Sequence, residues 1–289
     1  MEASKDTPCF GFIGFGLIGG SIARSLRRQY PSSQIMAYNY YVTKPHPKLE
    51  MAAGEGVLTV ISTSLGDFSK CDVVFLCAPV LKNISYLKQI KPYIRKDCII
   101  TDVGSVKGNI HKAVEELGLN HNFIGGHPMA GSEKTGYNNS DEGLLKDAYY
   151  ILTPTDSTPG EFVNWMAGFT EAAGAHCEIM DYRTHDMVTA AISHCPHIIS
   201  ASLVNLVASH DKDGIYKRLA AGGFKDITRI SSSSPEMWQN ICLANPGCIA
   251  GFLEEYIDVL TNIKDAVTAN DGTALTEFFE NARQYRDSL

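Results

Sequence analysis

A histidine in a glycine-rich segment is the first candidate for chemistry. His127 lies in the segment GGHPMAG, residues 125–131, between a diglycine and a proline. Small neighbours leave an imidazole open to a substrate, and an imidazole can accept or release a proton near neutral pH. We therefore interpret His127 as a general acid or base, with a purely structural histidine as the alternative.

A second glycine-rich segment has the pattern of a dinucleotide-binding turn. Residues 14–19, GFGLIG, follow an apolar run that ends at Ile13 and precede a helical pattern. In such a turn the first glycine permits the tight bend, the second lets the backbone approach a pyrophosphate, and the third lets helix and strand pack closely. An ordinary glycine-rich turn is the alternative, but the position between a strand and a helix favours cofactor binding. The expected contacts are Gly14, Gly16, Leu17, Ile18 and Gly19.

The choice of cofactor depends on the residue about 20 positions further on, which is acidic in many NAD-binding domains. This position holds Asn39, which can hydrogen-bond ribose hydroxyls and does not repel a 2′-phosphate. Asn39 therefore leaves NAD and NADP open, and we favour NAD. A later predicted strand ends in Cys77, Ala78 and Pro79, at the sheet edge where ligands bind, although a simple turn explains these residues equally well.

A serine follows another predicted strand. Ser105 lies in TDVGSVK, residues 101–107, at a turn from strand to helix. Its hydroxyl can either reach a reacting centre or only cap the next helix, and both interpretations stay open.

Two clusters of polar residues lie in the second half of the chain. His194 and His197 flank Cys195 and Pro196, but we reject a zinc site, because no second ligand pair stands at metal-site spacing and Pro196 kinks the local turn. We therefore expect no metal. Asp226 and Arg229, three residues apart, share one helical face. An arginine held by an aspartate can bind a carboxylate through two parallel hydrogen bonds, and a surface ion pair is the alternative.

The elements that must position these residues follow two patterns. In the first 180 residues short apolar runs alternate with helical patterns, which predicts an α/β Rossmann domain with a doubly wound, mostly parallel sheet. After residue 181 the strand patterns stop and long amphipathic stretches predict an all-α domain over residues 181–289. The predicted strands are 9–13, 34–38, 72–78, 98–103, 149–153 and 176–180, and the predicted helices of the second domain are 184–209, 235–244, 246–269 and 273–285.

Composition limits the partners. A net charge of −7 argues against nucleic acid or an anionic membrane, since both require a basic face. The eight cysteines form no CxxC pair and read as free thiols, and neither a signal-peptide pattern nor an uninterrupted apolar stretch of membrane-spanning length is present. We expect a cytoplasmic protein that binds a small molecule.

Together, the motifs resemble those of the prephenate dehydrogenase family, which includes arogenate dehydrogenases. The resemblance rests on six ordered segments: GFIGFGLIGGSIARSL at 11–26, TDVGSVK at 101–107, GGHPMAGSEKTG at 125–136, HDMVTAAISHCPH at 185–197, GFKDITRI at 223–230 and PEMW at 235–238. It implies an NAD(P)-dependent oxidoreductase that oxidatively decarboxylates prephenate to 4-hydroxyphenylpyruvate in tyrosine biosynthesis. It also implies a homodimer formed through the helical domain.

The resemblance assigns roles to individual residues. It makes His127 the catalytic histidine, hydrogen-bonded to the ring hydroxyl of the substrate, with Ser105 orienting the histidine and the nicotinamide. It makes Arg229 the ligand of a substrate carboxylate. Further pocket positions are Asp226, Glu133, His194, His197 and Trp238. Asn39 departs from the acidic residue of many relatives, and we expect neither a regulatory domain nor a fused mutase after Leu289.

Three alternatives stay open. The first is arogenate as the substrate, which carries an amino group where prephenate has a keto group. The second is a β-hydroxyacid dehydrogenase of similar layout with a catalytic lysine such as Lys212, Lys217 or Lys225. The third is a scaffold that binds NAD without turnover, although such a protein has no use for His127, His197 and Arg229 together.

Overall fold

The structure is a computed structural model that describes residues 7–39, 46–131 and 135–289. Two compact units account for them. The Rossmann unit comprises Met1–Thr189 and Ser232–Asn245, and the helical unit comprises Ala190–Ser231 and Pro246–Leu289. The predicted domain boundary between residues 180 and 181 lies close to Thr189, where the chain first leaves the Rossmann unit.

One eight-stranded sheet forms the centre of the Rossmann unit. Its strand order is β3-β2-β1-β4-β5-β6-β7-β8, and each neighbouring pair is parallel except β6 and β7. The predicted mostly parallel, doubly wound sheet is thereby confirmed. The strands are β1 (Cys9–Ile13), β2 (Gln34–Tyr38), β3 (Val60–Ile61), β4 (Val73–Leu76), β5 (Ile99–Asp102), β6 (Phe123–Pro128), β7 (Tyr149–Pro154) and β8 (His176–Ile179).

Helices cover the sheet and make up the helical unit. In chain order the described helices are α1 (Leu17–Gln29), α2 (Pro47–Gly54), α3 (Val80–Ile90), α4 (Gly108–Leu117), α5 (Gly160–Ala172), α6 (Tyr182–Thr189), α7 (Cys195–His210), α8 (Ile215–Leu219), α9 (Gly222–Thr228), α10 (Pro235–Ala244), α11 (Pro246–Thr268) and α12 (Gly272–Asp287). Helix α10 belongs to the Rossmann unit.

The core lies on both faces of the sheet because alternate side chains of each buried strand point to opposite faces. Phe12 of β1 packs with Phe75 of β4, their ring centroids 4.9 Å apart, in a cluster that includes Ile22 of α1. The next residues along these strands, Ile13 and Leu76, belong to a second cluster with helices α3 and α4. Burial on both faces explains why the strand sequences are apolar without alternation.

Two strands were absent from the sequence prediction. β3 is only two residues long, and β6 contains Gly125 and Gly126, which have low strand propensity. β6 forms because it pairs with β5 in parallel register and with β7 in antiparallel register, which places His127 opposite Ile151. The first part of the glycine-rich segment around His127 is therefore the end of a strand.

The helical unit begins with a π-helical turn, Ala190–His194. Pro196 stands in the first turn of α7 and has no N–H to donate to a carbonyl of the preceding turn, which explains the widened helix at this point. The predicted helical stretch over 184–209 thus consists of α6, this turn and α7. The run Tyr182–His210 also has the length and composition of a membrane span, which is weak evidence because apolar helices of other proteins pass the same test.

Candidate active site

Two cavities in the Rossmann unit meet at the glycine-rich turn after β1. The Asn39 cavity, of about 540 Å³, is lined by Gly14, Phe15, Gly16, Asn39, His46, Lys48, Cys77, Ala78, Pro79, Lys82, Tyr86 and Gly136. The His127 cavity, of about 560 Å³, is lined by residues 16–19, 77–80, 103–105, 127, 128, 130, 131, 135, 136, 234, 236, 237, 240 and 241. Both cavities share Gly16 and the segment 77–79, at the carboxyl ends of β1 and β4, where parallel sheets bind ligands.

The glycine-rich turn has the geometry that a pyrophosphate requires. Gly14 has a φ of +86°, and a Cβ atom there would lie 2.6 Å from the backbone nitrogen of Ala78. A Cβ atom at Gly19 would lie 3.0 Å from the carbonyl oxygen of Gly14, so this glycine lets α1 pack against the turn. Gly16 is the N-cap of α1 and lines both cavities, which leaves backbone amides at the helix N terminus open to an anion.

A buried asparagine fixes the neighbouring segment 77–79. The side chain of Asn83 accepts a hydrogen bond from the backbone nitrogen of Ala78 at 3.0 Å and donates one to the carbonyl of Leu76 at 3.1 Å. Burial raises the pKa of the Cys77 thiol, so this side chain lines both cavities as a neutral group. Cys77, Ala78 and Pro79 were predicted from the sequence, whereas Asn83 was not.

The Asn39 cavity has a basic lining. Lys48, Lys82 and His46 join Asn39 in its wall, and none of the described residues that line it is Asp or Glu. The absence of a carboxylate at residue 39 was evident from the sequence. The two lysines were not, because they come from α2 and from α3.

His127 and Ser105 face the same cavity. His127 is half-buried near the end of β6, and Ser105 lies in the turn between β5 and α4. Helix α4 begins at Gly108 with Lys107 as its N-cap residue and has no side-chain cap from that residue. Ser105 is therefore not the N-cap residue of α4, and it lines the cavity with the 16–19 turn and His127.

A chain of hydrogen bonds runs from His127 into the protein. His127 Nδ1 lies 2.8 Å from Nε2 of His185, and His185 Nδ1 lies 2.8 Å from Oδ1 of Asp186. His185 is completely buried and Asp186 nearly so. The carboxylate of Asp186 accepts hydrogen bonds from the backbone nitrogens of Lys107 at 2.8 Å and of Gly108 at 2.7 Å. His185 and Asp186 belong to the 185–197 motif, but no role was predicted for them from the sequence.

A buried ion pair supports the same region. Lys107 Nζ lies 2.5 Å from Asp102 Oδ2 and donates a second hydrogen bond, of 2.7 Å, to the carbonyl of Gly126. Burial lowers the pKa of Lys107, although Asp102 acts in the opposite direction. Beside it, His111 stacks on Tyr182 and lies 2.9 Å from the hydroxyl of Thr153, and burial lowers the pKa of His111 to about 4.

Helix α10 supplies another part of the His127 cavity. It starts as predicted, with Ser234 accepting a hydrogen bond from the backbone nitrogen of Met237 and with Pro235 at its first position. The residues of α10 in the cavity lining are Glu236, Met237, Asn240 and Ile241. Trp238, a predicted pocket residue, is half-buried on this helix and is not in that lining among the described residues.

Four of the predicted substrate-binding residues belong to the helical unit: His194, His197, Asp226 and Arg229. A fifth, Glu133, lies outside the described residues. His194 is buried in the π-helical turn, and His197 Nδ1 lies 2.9 Å from the carbonyl of Ser193, so this nitrogen carries the proton in the neutral ring. Asp226 is exposed on α9, and Arg229 is exposed directly after it. Their role at a substrate stays a prediction.

Two family models match this chain, one over the first part of the sequence and one over the second. A model described as "Prephenate dehydrogenase, nucleotide-binding domain" matches residues 22–179, and one described as "Prephenate dehydrogenase, dimerization domain" matches residues 181–281. The chain is 36% identical over 295 residues to a prephenate dehydrogenase of Bacillus subtilis (strain 168), covering 100% of this chain and 77% of the relative.

Solved structures are similar over nearly the whole chain. A prephenate dehydrogenase from A. aeolicus, in complex with hydroxyphenyl propionate and NAD+, is 31% identical with a TM-score of 0.90, covering 99% of each chain. An arogenate dehydrogenase from Synechocystis is 28% identical with a TM-score of 0.85, covering 97% of this chain and 99% of its own.

Proposed function

Because this chain belongs to the prephenate dehydrogenase family, we propose that it oxidatively decarboxylates prephenate to 4-hydroxyphenylpyruvate with NAD+ as the hydride acceptor. This reaction is a step in tyrosine biosynthesis. The observation that carries the proposal is the His127 cavity, in which an imidazole, a serine hydroxyl and the glycine-rich turn line one space.

The chemistry needs a base and a hydride acceptor. Prephenate is a cyclohexadienol with two carboxylates, and loss of a hydride from its carbinol carbon turns the alcohol into a ketone. Loss of carbon dioxide then returns an electron pair to the ring, which becomes aromatic. The nicotinamide of NAD+ supplies the hydride acceptor when bound, and neither a Schiff base nor a metal is required.

His127 takes the hydroxyl proton in this proposal. Its Nδ1 lies 2.8 Å from His185 Nε2, so we assign Nε2 as the ring nitrogen that accepts the proton of the substrate hydroxyl. The proton returns to the phenol oxygen of the product, so the base is regenerated in each turnover. A positioned base of this kind contributes about 10²- to 10⁴-fold in rate. Ser105, in the same cavity lining, orients the imidazole and the nicotinamide.

The substrate carboxylates require cations in an acidic protein. We assign one carboxylate to Arg229, whose side chain is exposed and whose forked guanidinium can donate two parallel hydrogen bonds. Asp226, His194, His197, Trp238 and Glu133 stay proposed pocket positions.

The proposed assembly is a homodimer formed through the helical unit, in the cytoplasm. Large apolar side chains of that unit are exposed in the single chain, including Leu206 at 59%, Ile257 at 59% and Phe279 at 65%. Exposed apolar surface on this scale is typical of an interface. The match of residues 181–281 to a dimerization domain supports the same proposal, and eight free cysteines are compatible with a reducing compartment.

A matrix of initial rates tests the proposed function. Prephenate, arogenate and a 3-hydroxy acid are each offered with NAD+ and with NADP+, and reduced nicotinamide and carbon dioxide are both measured. We expect prephenate to give equal amounts of the two products. Preference for arogenate would select the second candidate, which the similarity to the Synechocystis enzyme favours.

Two other results would reject both candidates. Turnover of the 3-hydroxy acid without carbon dioxide would indicate a β-hydroxyacid dehydrogenase with a catalytic lysine. Binding of NAD+ without turnover of any of the three compounds would indicate a scaffold.

A further inference from the structure

In the hydrogen-bond chain behind His127, the donor and the acceptor of each bond can be assigned. Asp186 Oδ1 accepts the backbone N–H of Lys107, and its carboxylate is further held by the N–H of Gly108. These two amides lie at the N terminus of α4, where the helix dipole favours an anion. An ionised carboxylate only accepts hydrogen bonds, so the proton between Asp186 and His185 belongs to His185 Nδ1.

The same assignment extends to the hydrogen bond between His185 and His127. A neutral His185 with its proton on Nδ1 has a lone pair on Nε2, and it therefore accepts from the neighbouring ring. The partner is His127 Nδ1 at 2.8 Å, which must carry a proton to donate. The lone pair of His127 is then on Nε2.

We infer that His185 and Asp186 are positioning residues that fix the tautomer of His127 and thereby make Nε2 its basic atom. The inference rests on the proposed role of His127 as the base. When Nε2 accepts a proton, the imidazolium that forms donates through His185 towards a carboxylate, so the positive charge is stabilised without solvent. Neither residue touches the cavity in which the reaction is proposed.

Among the described residues, Asp186 is the charged group that contacts His185 in this hydrogen-bond chain. Asp102, at the end of β5, and Lys107, the residue before α4, form a contacting ion pair, so their opposite charges offset each other. His111, also on α4, is neutral near pH 7 because burial lowers its pKa to about 4. From the residue after α10, Asn245 donates its side-chain N–H to the backbone carbonyl of Asp186 and brings no charge.

Nuclear magnetic resonance of the unmodified protein tests the tautomer directly. Protein with ¹⁵N-labelled histidine gives ring nitrogen shifts that distinguish a protonated nitrogen from one with a lone pair, and the His127→Asn variant assigns the signal. At a pH where the ring is neutral, we expect His127 to carry its proton on Nδ1. A proton on Nε2 would overturn the inference.

Kinetics of three variants test the consequence. Asp186→Asn should lower kcat by about 10²- to 10⁴-fold, the range that a general base contributes, and should move the acid limb of the pH profile to lower pH because no carboxylate stabilises the imidazolium. His185→Leu should lower kcat similarly. His185→Gln should recover part of the loss, since an amide oxygen can still accept from His127 Nδ1.

Stability and cofactor binding are measured on the same variants. His176→Gln, on an exposed position of β8, is the matched control and should keep the wild-type rate and pH profile. Folded Asp186→Asn and His185→Leu proteins that bind NAD+ and keep the wild-type rate and acid limb would overturn the inference. If those two variants keep the wild-type rate but His127→Asn is inactive, only the inference is overturned and the proposed function stands. If the wild type turns over neither prephenate nor arogenate, the proposed function itself is overturned.

Discussion

The two cavities that meet at the glycine-rich turn are built in opposite ways. Behind the His127 cavity lie His185 and Lys107, both at 0% exposure. The carboxylate of Asp186 and the ring of His127 hold His185, and the carboxylate of Asp102 and the carbonyl of Gly126 hold Lys107. In the wall of the Asn39 cavity, Lys48 is half-exposed and Lys82 exposed, on side chains with many rotamers. The first cavity has fixed donors and acceptors, and the second has charge that can adapt to its ligand.

This difference has a physical consequence for function. A proton transfer needs atoms held in place, because a base must lie within hydrogen-bond reach of the proton it takes. Binding of the part of the cofactor that is distant from the nicotinamide tolerates looser contacts. Substitutions behind the His127 cavity should therefore have large effects on rate or stability, and substitutions around the Asn39 cavity should have small effects that depend on the cofactor.

The largest effect is expected from His127→Asn. Asparagine retains a hydrogen-bonding group but cannot accept the proton at neutral pH, so kcat should fall about 10²- to 10⁴-fold. The dissociation constant of NAD+, measured by fluorescence titration, should stay unchanged because the glycine-rich turn is intact. The control is His121→Asn, at an exposed position, which should keep wild-type kcat. Unchanged turnover in His127→Asn would remove His127 as the base.

The second prediction compares two lysines. Lys107→Met leaves the buried carboxylate of Asp102 without its cation, which should lower the free energy of unfolding by about 3 to 5 kcal/mol. Lys82→Met makes the same chemical change in the wall of the Asn39 cavity and should cost less than about 0.5 kcal/mol. Urea unfolding at pH 7 measures both.

A double variant sharpens this test. Lys107→Met combined with Asp102→Asn removes both charges and should recover part of the loss of the single variant. Equal stability losses for Lys107→Met and Lys82→Met would contradict the difference between the two cavities.

The third prediction concerns pH. The pKa of His111 is about 4 in the folded protein against 6.5 for an unperturbed histidine, so between these values the unfolded chain binds a proton that the folded protein does not. The free energy of unfolding should therefore fall as pH is lowered from 6.5 to 4, and His111 should account for about 3 kcal/mol of the fall. Urea unfolding across this range should show a weaker fall in His111→Gln and the wild-type fall in His176→Gln. The same pH dependence in His111→Gln and the wild type would assign it to other groups.

Sequence reasoning performed best where local pattern decides the structure. The bounds of β1, β2 and α10 were predicted without error, because apolar runs and a proline at the start of a helix act within a few residues. The glycine-rich turn, Ser105 and His127 were also predicted as site residues, and the structure brings them to one cavity.

What sequence reasoning missed depends on contacts between distant segments. The hydrogen bond between His127 and His185 joins residues 58 apart, and the one between Lys107 and Asp186 joins residues 79 apart. Strand β6 was missed because its two glycines have low strand propensity, and its pairing with the distant strands β5 and β7 stabilises it. No local pattern reports such contacts.

The smallest effect is expected from a substitution of Asn39 in the wall of the Asn39 cavity. Asn39→Asp places a carboxylate where the wall now has two lysines, a histidine and an amide, and it should repel a 2′-phosphate while still accepting from ribose hydroxyls. The ratio of kcat/KM for NADP+ to that for NAD+ should fall about tenfold, which corresponds to about 1.4 kcal/mol. Asn270→Asp, in the loop between α11 and α12, adds the same charge elsewhere and should leave the ratio unchanged. A large loss of kcat with both cofactors in Asn39→Asp would mean that this cavity is as tightly constrained as the one around His127, and the contrast between the two would be lost.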